Sequence, residues 1–153
     1  MAIPGAPQRY AAFRLRFRAY LTDVLIYLAV YLIGAIGSGV VFESYPAGRV
    51  AAFALLALFS VSYEPLMIAR YAGTFGHRSA NIRIVRASDG SLLPFWRAVI
   101  RTFVKQLLGL PSLLFMFGTR RAQAFHDIAA GSEVRIRDAR RAIGTDYFIP
   151  RQP

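Results

Sequence analysis

The 153-residue chain has no cysteine, two histidines and one lysine. Without cysteine there is no disulfide framework, no thiolate metal site and no cysteine nucleophile. Two histidines are too few for a zinc site built from histidine alone, and neither a metal nor another cofactor is expected. Charge is also scarce: 18% of residues are Asp, Glu, Lys or Arg, against roughly 25% in an ordinary soluble domain. Acids are the scarcest, 8 against 19 basic residues, and the net charge is +11. A glycine period and a sustained heptad are both missing, which excludes collagen and coiled coil. What the chain does have is apolar residues, 56% of the total, far too many for a disordered chain. They gather in long runs, unlike those of a small soluble domain, and the length corresponds to one domain. A basic excess on such a chain fits either nucleic acid or an anionic membrane surface. Apolar runs of spanning length favour a bilayer with anionic headgroups, and no nucleic-acid partner is expected.

Residues 1–18 form a basic lead, with Pro4 and Pro7 holding its start extended and Arg9, Arg14, Arg16 and Arg18 following without an acid. The next apolar stretch is too long for a signal peptide and is read as an uncleaved first span. That span, about 19–42, contains one charge, Asp23, and a far half rich in glycine at Gly34, Gly37 and Gly39. Small residues there suit close helix packing in lipid. The segment Glu43–Arg49 is a turn punctuated by Pro46 and Gly48. A second span follows at about 50–69, interrupted toward its end by Glu64 and by Pro65, which is expected to kink it. The short connection makes the two spans an antiparallel hairpin. A basic loop, 70–90, carries an alternating stretch, Asn81–Arg86, that predicts a strand, and Ser88–Gly90 predicts a turn. Residues 92–108 then repeat at helical spacing, with Arg97, Arg101 and Lys105 on one face and Trp96, Val99, Ile100, Phe103, Val104 and Leu107 around the rest. Such an amphipathic helix suits a membrane interface. Gly109 and Pro111 interrupt it, and residues 112–117 are apolar but too short to span. Glu133–Arg137 alternates and is expected to pair with Ile82–Val85. Residues 138–153 read as a loose tail, with Pro150 and Pro153 near its end. The fold expected is therefore a membrane all-α protein: a two-span hairpin, an amphipathic or re-entrant third helix within 92–117, and a two-stranded β element, the membrane domain covering 19–137.

Basic residues set the orientation. The lead holds four arginines and the hairpin turn only Arg49. The second loop holds Arg70, Arg78, Arg83 and Arg86, and the tail Arg120, Arg121, Arg135, Arg137, Arg140, Arg141 and Arg151. The positive-inside rule places lead, loop and tail, and so both termini, in the cytoplasm. An even number of crossings follows, so 92–117 is expected to lie in the interface or to dip in and return. A tilted third span with snorkelling arginines is the alternative.

Two acids lie inside apolar segments, where a carboxylate costs about 2.5–3.5 kcal/mol at the centre of a span. Asp23 either belongs to an ion or substrate path or pairs with Arg101 or another arginine as a lock. Arg16, seven residues earlier, falls on nearly the same face but about 10 Å away along the axis, too far for a direct pair. Glu64 lies beside a carbonyl freed by Pro65 and reads either as a cation or proton site or as an interfacial residue snorkelling near Arg70. Gly73-Thr74-Phe75-Gly76 with His77-Arg78 superficially has the look of a phosphate cradle, but it lacks the length and the Lys-Ser/Thr pair of a P-loop. Taken alone it is a tight turn with a basic rim. His126-Asp127 offers a base and an orienter, yet sequence neighbours rarely face each other and no serine stands at a telling spacing. Arg120-Arg121 suits lipid headgroups or water.

These residues carry a resemblance. The chain resembles the RDD family of bacterial membrane proteins, named for one Arg and two Asp. The family's first-helix pattern is matched by Arg16, Ala19 and Asp23. Its middle signature is matched by Gly73, Thr74, Gly76, Arg78, Val85, Asp89 and Gly90, with His77 where Lys is usual and Gly73 directly before Thr74. An arginine of the next helix matches Arg101. The closing signature is matched by His126, Asp127, Ala130, Gly131 and Val134, with Ser132 in the Thr position. The resemblance runs from about Phe13 to Ile136 and makes Asp127 the second Asp of the name. It implies an integral protein of a bacterial inner membrane, discussed in the family as a transporter of unknown ligands and, for some members, as a sodium/proton exchanger.

Two functions are weighed. In the first, Asp23, with Glu64, binds a cation or proton within the hairpin; a two-span protomer is small for a pathway, so this reading calls for a homo-oligomer. In the second, the protein is a scaffold or accessory subunit whose ion network joins spans to strands, with Arg16–Asp127 and Asp23–Arg101 as the expected pairs. No constellation supports an enzyme, and no ligand is named by the sequence.

Overall fold

The computed structural model describes residues 10–109, 111–119, 121–138 and 147–148. Two helices dominate. Helix α1 runs over Phe13–Val41 and α2 over Pro46–Tyr71. At 1.5 Å per residue they are about 43 and 39 Å long, more than the roughly 30 Å of a bilayer's hydrocarbon core. Both extend past the expected spans, α1 six residues into the basic lead. Pro46 stands in the first turn of α2, where its missing N–H costs nothing. Pro65 lies inside the same helix, which continues through it to Tyr71.

The hairpin packs sparingly. A Cβ on Gly34 would stand 2.8 Å from the Leu56 side chain, so glycine allows the close approach there. Gly37 and Gly39 meet nothing, and the expected small-residue face reduces to one position. Tyr27 packs edge-on against Phe59 and Tyr63, and Tyr31 Oη lies 2.6 Å from Ser60 Oγ. Elsewhere the apolar side chains point outward: Ile33 is 72% exposed, Val40 75% and Val50 70%. A belt of this extent would aggregate in water and is matched by lipid.

The chain leaves α2 through Ala72 and Gly73 (φ 59° and 145°) into the short helix α3, Phe75–Ser79. Then come β2 (Ile82–Arg86), α4 (Phe95–Leu108), α5 (Pro111–Leu114) with a 3-10 turn over Phe115–Gly118, α6 (Phe125–Ala130) and β3 (Ser132–Ile136). The expected pairing of β2 with β3 is antiparallel, with Ile82 opposite Ile136 and Ile84 opposite Val134. Those four side chains share one face, and with Leu15, Ala19, Ile68, Leu93 and Ala98 they form the core. The two-stranded element is larger than expected. A strand β1 at Tyr10–Ala11 and another, β4, at Tyr147–Phe148 extend it to an antiparallel sheet of order β2-β3-β1-β4. β1 comes from the basic lead and β4 from the segment expected to be a loose tail. Strands of two residues are too short for a period to show. Arg9, Arg120, Arg140, Arg141 and Arg151, and the prolines at 4, 7, 150 and 153, lie outside the described residues.

Helix α4 forms with the expected basic stripe. Its polar side faces the protein: Ala98, Arg101 and Thr102 are buried, and Lys105 lies on the same stripe, while Phe103 and Leu107 point outward. α4 and the Pro111–Gly118 segment bend by 107° at their break. The two do not form one straight helix.

Where α3 crosses α1, only glycine fits. A Cβ on Gly76 would come 2.7 Å from Asp23 Cγ and closer still to the Ala19 carbonyl. Since backbone cannot give way as a side-chain tip can, Gly76→Ala is expected to cost about 1–3 kcal/mol, read as a lowered melting temperature of the purified protein in detergent.

Candidate functional site

The charged residues singled out by sequence meet in one layer between the hairpin and the sheet. Asp127, the third residue of α6, is wholly buried. Its Oδ2 accepts from Arg16 Nη1 at 2.5 Å and from the Ala124 backbone N–H at 3.1 Å. Its Oδ1 accepts from Arg101 Nε at 3.0 Å and from Ser132 Oγ at 3.4 Å. Four donors thus occupy the roughly four lone-pair sites of a carboxylate. Arg16 also donates to the carbonyls of Ala122 and Ala11, at 2.5 and 3.3 Å. From Arg101 the chain of charges continues: Nη1 donates to Glu64 Oε1 at 3.1 Å, and Lys105 Nζ lies 2.7 Å from both Glu64 oxygens.

Of the two expected pairs, Arg16–Asp127 forms and Asp23–Arg101 does not. The reason is geometric. Arg101 is already shared between Asp127 and Glu64, whereas Asp23 is taken by the loop after α2. Thr74 Oγ1 donates to Asp23 Oδ2 at 2.6 Å and the Gly76 backbone N–H donates to Oδ1 at 2.9 Å. Glu64 likewise does not snorkel toward Arg70. It is buried, bound by Arg101 and Lys105, while Arg70 is exposed. Lys105, the chain's one lysine, is a partner that the sequence does not reveal. It is visible there as a cation one turn after Arg101, but nothing in the sequence gives the α2–α4 register.

The glycine-rich loop is a cap built onto α1. Thr74 is the N-cap of α3 and its Oγ1 accepts from the His77 backbone N–H at 3.3 Å. The same oxygen lies 2.5 Å from His77 Nδ1. Gly73 holds its positive φ, Gly131 (φ 62°) ends α6, and Arg78 turns outward over the Tyr71 ring at 4.6 Å. Contrary to the expectation for sequence neighbours, His126 Nε2 lies 3.7 Å from Asp127 Oδ1, and a serine is present: Ser112 Oγ is 2.6 Å from His126 Nδ1. Ser112 is fully buried, which suits a structural hydrogen bond better than a nucleophile.

Burial and the neighbouring Arg101 and Lys105 cations hold His77 well below the ordinary imidazole range. Burial, again with Arg101, pushes His126 down to about 3. Both rings are neutral near pH 7. Arg16 and Arg101 hold the Asp127 carboxyl far below the usual range against the effect of burial. The layer therefore sets three cations, Arg16, Arg101 and Lys105, against three carboxylates, Asp23, Glu64 and Asp127.

Two cavities adjoin this layer. The larger, about 290 Å³, is lined by Asp23, Glu64, Lys105, Tyr27 and Gln106 among others. The smaller, about 30 Å³, is lined by Arg16, Arg101, His77 and His126 and has room for one or two waters. Tyr20, Lys105 and Gly109 line both. Among the described residues no group of three His, Cys, Asp or Glu is placed to hold a metal.

An outward apolar belt on two helices of spanning length, closed at one end by buried ion pairs, defines a helical membrane protein. The sequence profile of the RDD family matches residues 10–131, and the chain belongs to that family. No curated protein and no solved structure matches it.

Removing the Asp127 charge leaves Arg16 and Arg101 buried with one acceptor fewer. Asp127→Asn is expected to cost about 3–5 kcal/mol, measured by chemical or thermal unfolding in detergent. A pH dependence also follows. Above pH 6.5 the two histidines are neutral whether folded or unfolded. As pH falls below 6.5 the unfolded chain takes up protons at His77 and His126 that the folded chain refuses, for His126 until about pH 3. Stability is expected to drop with falling pH by about 1.4 kcal/mol per unit for each histidine. Melting scans between pH 7.5 and 5 test this, and His126→Asn is expected to remove about half of the slope.

Proposed function

We propose that the protein carries a small cation or proton across a bacterial inner membrane. The observation that supports this is the larger cavity, in which two carboxylates, Asp23 and Glu64, meet one lysine at the depth of the apolar helices. Intramembrane carboxylates on a cavity are the usual substance of ion and proton paths. Glu64 is already matched by Arg101 and Lys105, which leaves Asp23, held by the uncharged Thr74 hydroxyl and the Gly76 N–H, as the carboxylate open to a cation or proton. The excess of arginine on the lead, the second loop and the tail supports an orientation with both termini in the cytoplasm. The sharp bend after α4 suits a segment that dips in and returns rather than a third full span. One hairpin encloses too little for a complete pathway, so a homo-oligomer forms the rest.

A second reading, a scaffold without transport, is favoured by the Arg16–Asp127–Arg101 half of the layer, where the Asp127 carboxylate is saturated with donors. The two readings divide the layer: Asp127 locks the sheet to the hairpin, and Asp23 faces the cavity.

Asp23→Asn keeps the size of the side chain and an oxygen for the Gly76 N–H. In proteoliposomes we expect sodium and proton flux from the unaltered chain and none from Asp23→Asn, with melting temperatures unchanged. Absence of both fluxes from well-folded unaltered protein would move the assignment to the scaffold.

A further inference from the structure

We infer that Asp23, Thr74 and His77 form a proton relay joining the two cavities. This deepens the transport reading and rests on it. Asp23 lines the larger cavity and His77 the smaller one. The two cavities adjoin, with Tyr20, Lys105 and Gly109 in both linings. Thr74 bridges Asp23 and His77. Its Oγ1 is 2.6 Å from Asp23 Oδ2 and 2.5 Å from His77 Nδ1, and it is 1% exposed.

The direction of each hydrogen bond follows from counting protons. A threonine hydroxyl has one proton to give, and an ionised carboxylate only accepts. With Asp23 ionised, the Thr74 proton points to Oδ2, so the contact at Nδ1 requires that nitrogen to carry its own proton. His77 is then the Nδ1–H tautomer, and its bare Nε2 is free to accept from the smaller cavity. A proton arriving at Nε2 lets the Nδ1 proton pass to Thr74 Oγ1 while the Thr74 proton passes to Asp23 Oδ2. One proton enters, one is delivered to Asp23 and then to the larger cavity, and no electrons move. The chain resets when the imidazole ring turns in its site, Nε2 returning one proton to the smaller cavity and Nδ1 taking one from it, and the Thr74 hydroxyl rotates back toward Asp23; this reset moves no net charge between the cavities. Only protons can take this route, because a metal ion cannot pass through a hydroxyl group. The charged and titratable groups that face the relay are Tyr27 on α1, Tyr63 and Glu64 on α2, Arg101 and Lys105 on α4 and Asp127 on α6. Burial, with the Arg101 and Lys105 cations, disfavours a resting imidazolium at His77, which suits a group that passes protons rather than stores them.

The test uses the full chain in liposomes with an internal pH dye, under an imposed pH gradient, with sodium uptake recorded on the same vesicles. Thr74→Val keeps the shape and removes the hydroxyl. Thr74→Ser restores the hydroxyl, and His77→Gln ends the chain at the ring. We expect proton movement from the unaltered protein and from Thr74→Ser, and a loss of about a hundredfold in Thr74→Val and in His77→Gln. If Thr74→Val does not fold, as judged by its melting temperature, His77→Gln alone decides. Proton movement equal to that of the unaltered chain in either folded variant overturns the relay and leaves transport standing. So does sodium uptake without proton movement in the unaltered chain. Movement of neither ion overturns relay and transport together.

Discussion

The carboxylate of Asp127 sits where no water reaches it, between two guanidinium groups that are buried as deeply. A charge so placed must be fully matched by its neighbours, because an unpaired one in that setting costs several kcal/mol. Around this requirement the rest is arranged. Arg16 brings the start of α1 to it, Arg101 brings α4, and the first turn of α6 adds a backbone N–H. Glu64 then answers the second face of Arg101, and Lys105 answers Glu64. Each member is held by the next, so the angles between four helices follow from one buried acid.

The same requirement turns α4 inside out relative to a helix of a soluble protein. Its cations are needed inside, so its phenylalanine, leucine and tryptophan face outward, continuing the apolar belt of the hairpin. The sheet is built as a soluble protein would be, with β-branched residues alternating on one face over a small core.

Much of this is legible in the sequence. The two long helices follow from unbroken apolar runs, and β2 with β3 from alternation of period two. Arg16 with Asp127 follows from the ion-network reading of the signature residues. Besides the Lys105 contact and the two short strands, three features are not legible. The inward face of α4 is hidden because a basic stripe looks alike whether it meets lipid headgroups or buried acids; only the partner decides. The Asp23 partners are hidden because a threonine and a glycine N–H carry no charge to mark them, and the eye goes first to arginine. Ser112 is hidden because its pairing with His126 depends on the bend after α4, which a glycine and a proline announce without giving its angle.

Arg16 and Asp127 are 111 residues apart in the chain. During synthesis Arg16 is made 111 residues before its counterion. Over that interval α1 carries a cation that has nowhere buried to go, and it must remain in water or among headgroups. The hairpin can enter lipid early, but its polar end cannot close until α6 emerges. Closure is then a late, single event that draws α4 and the sheet in together, and a chain truncated before residue 127 is left with its helices inserted and its polar end open.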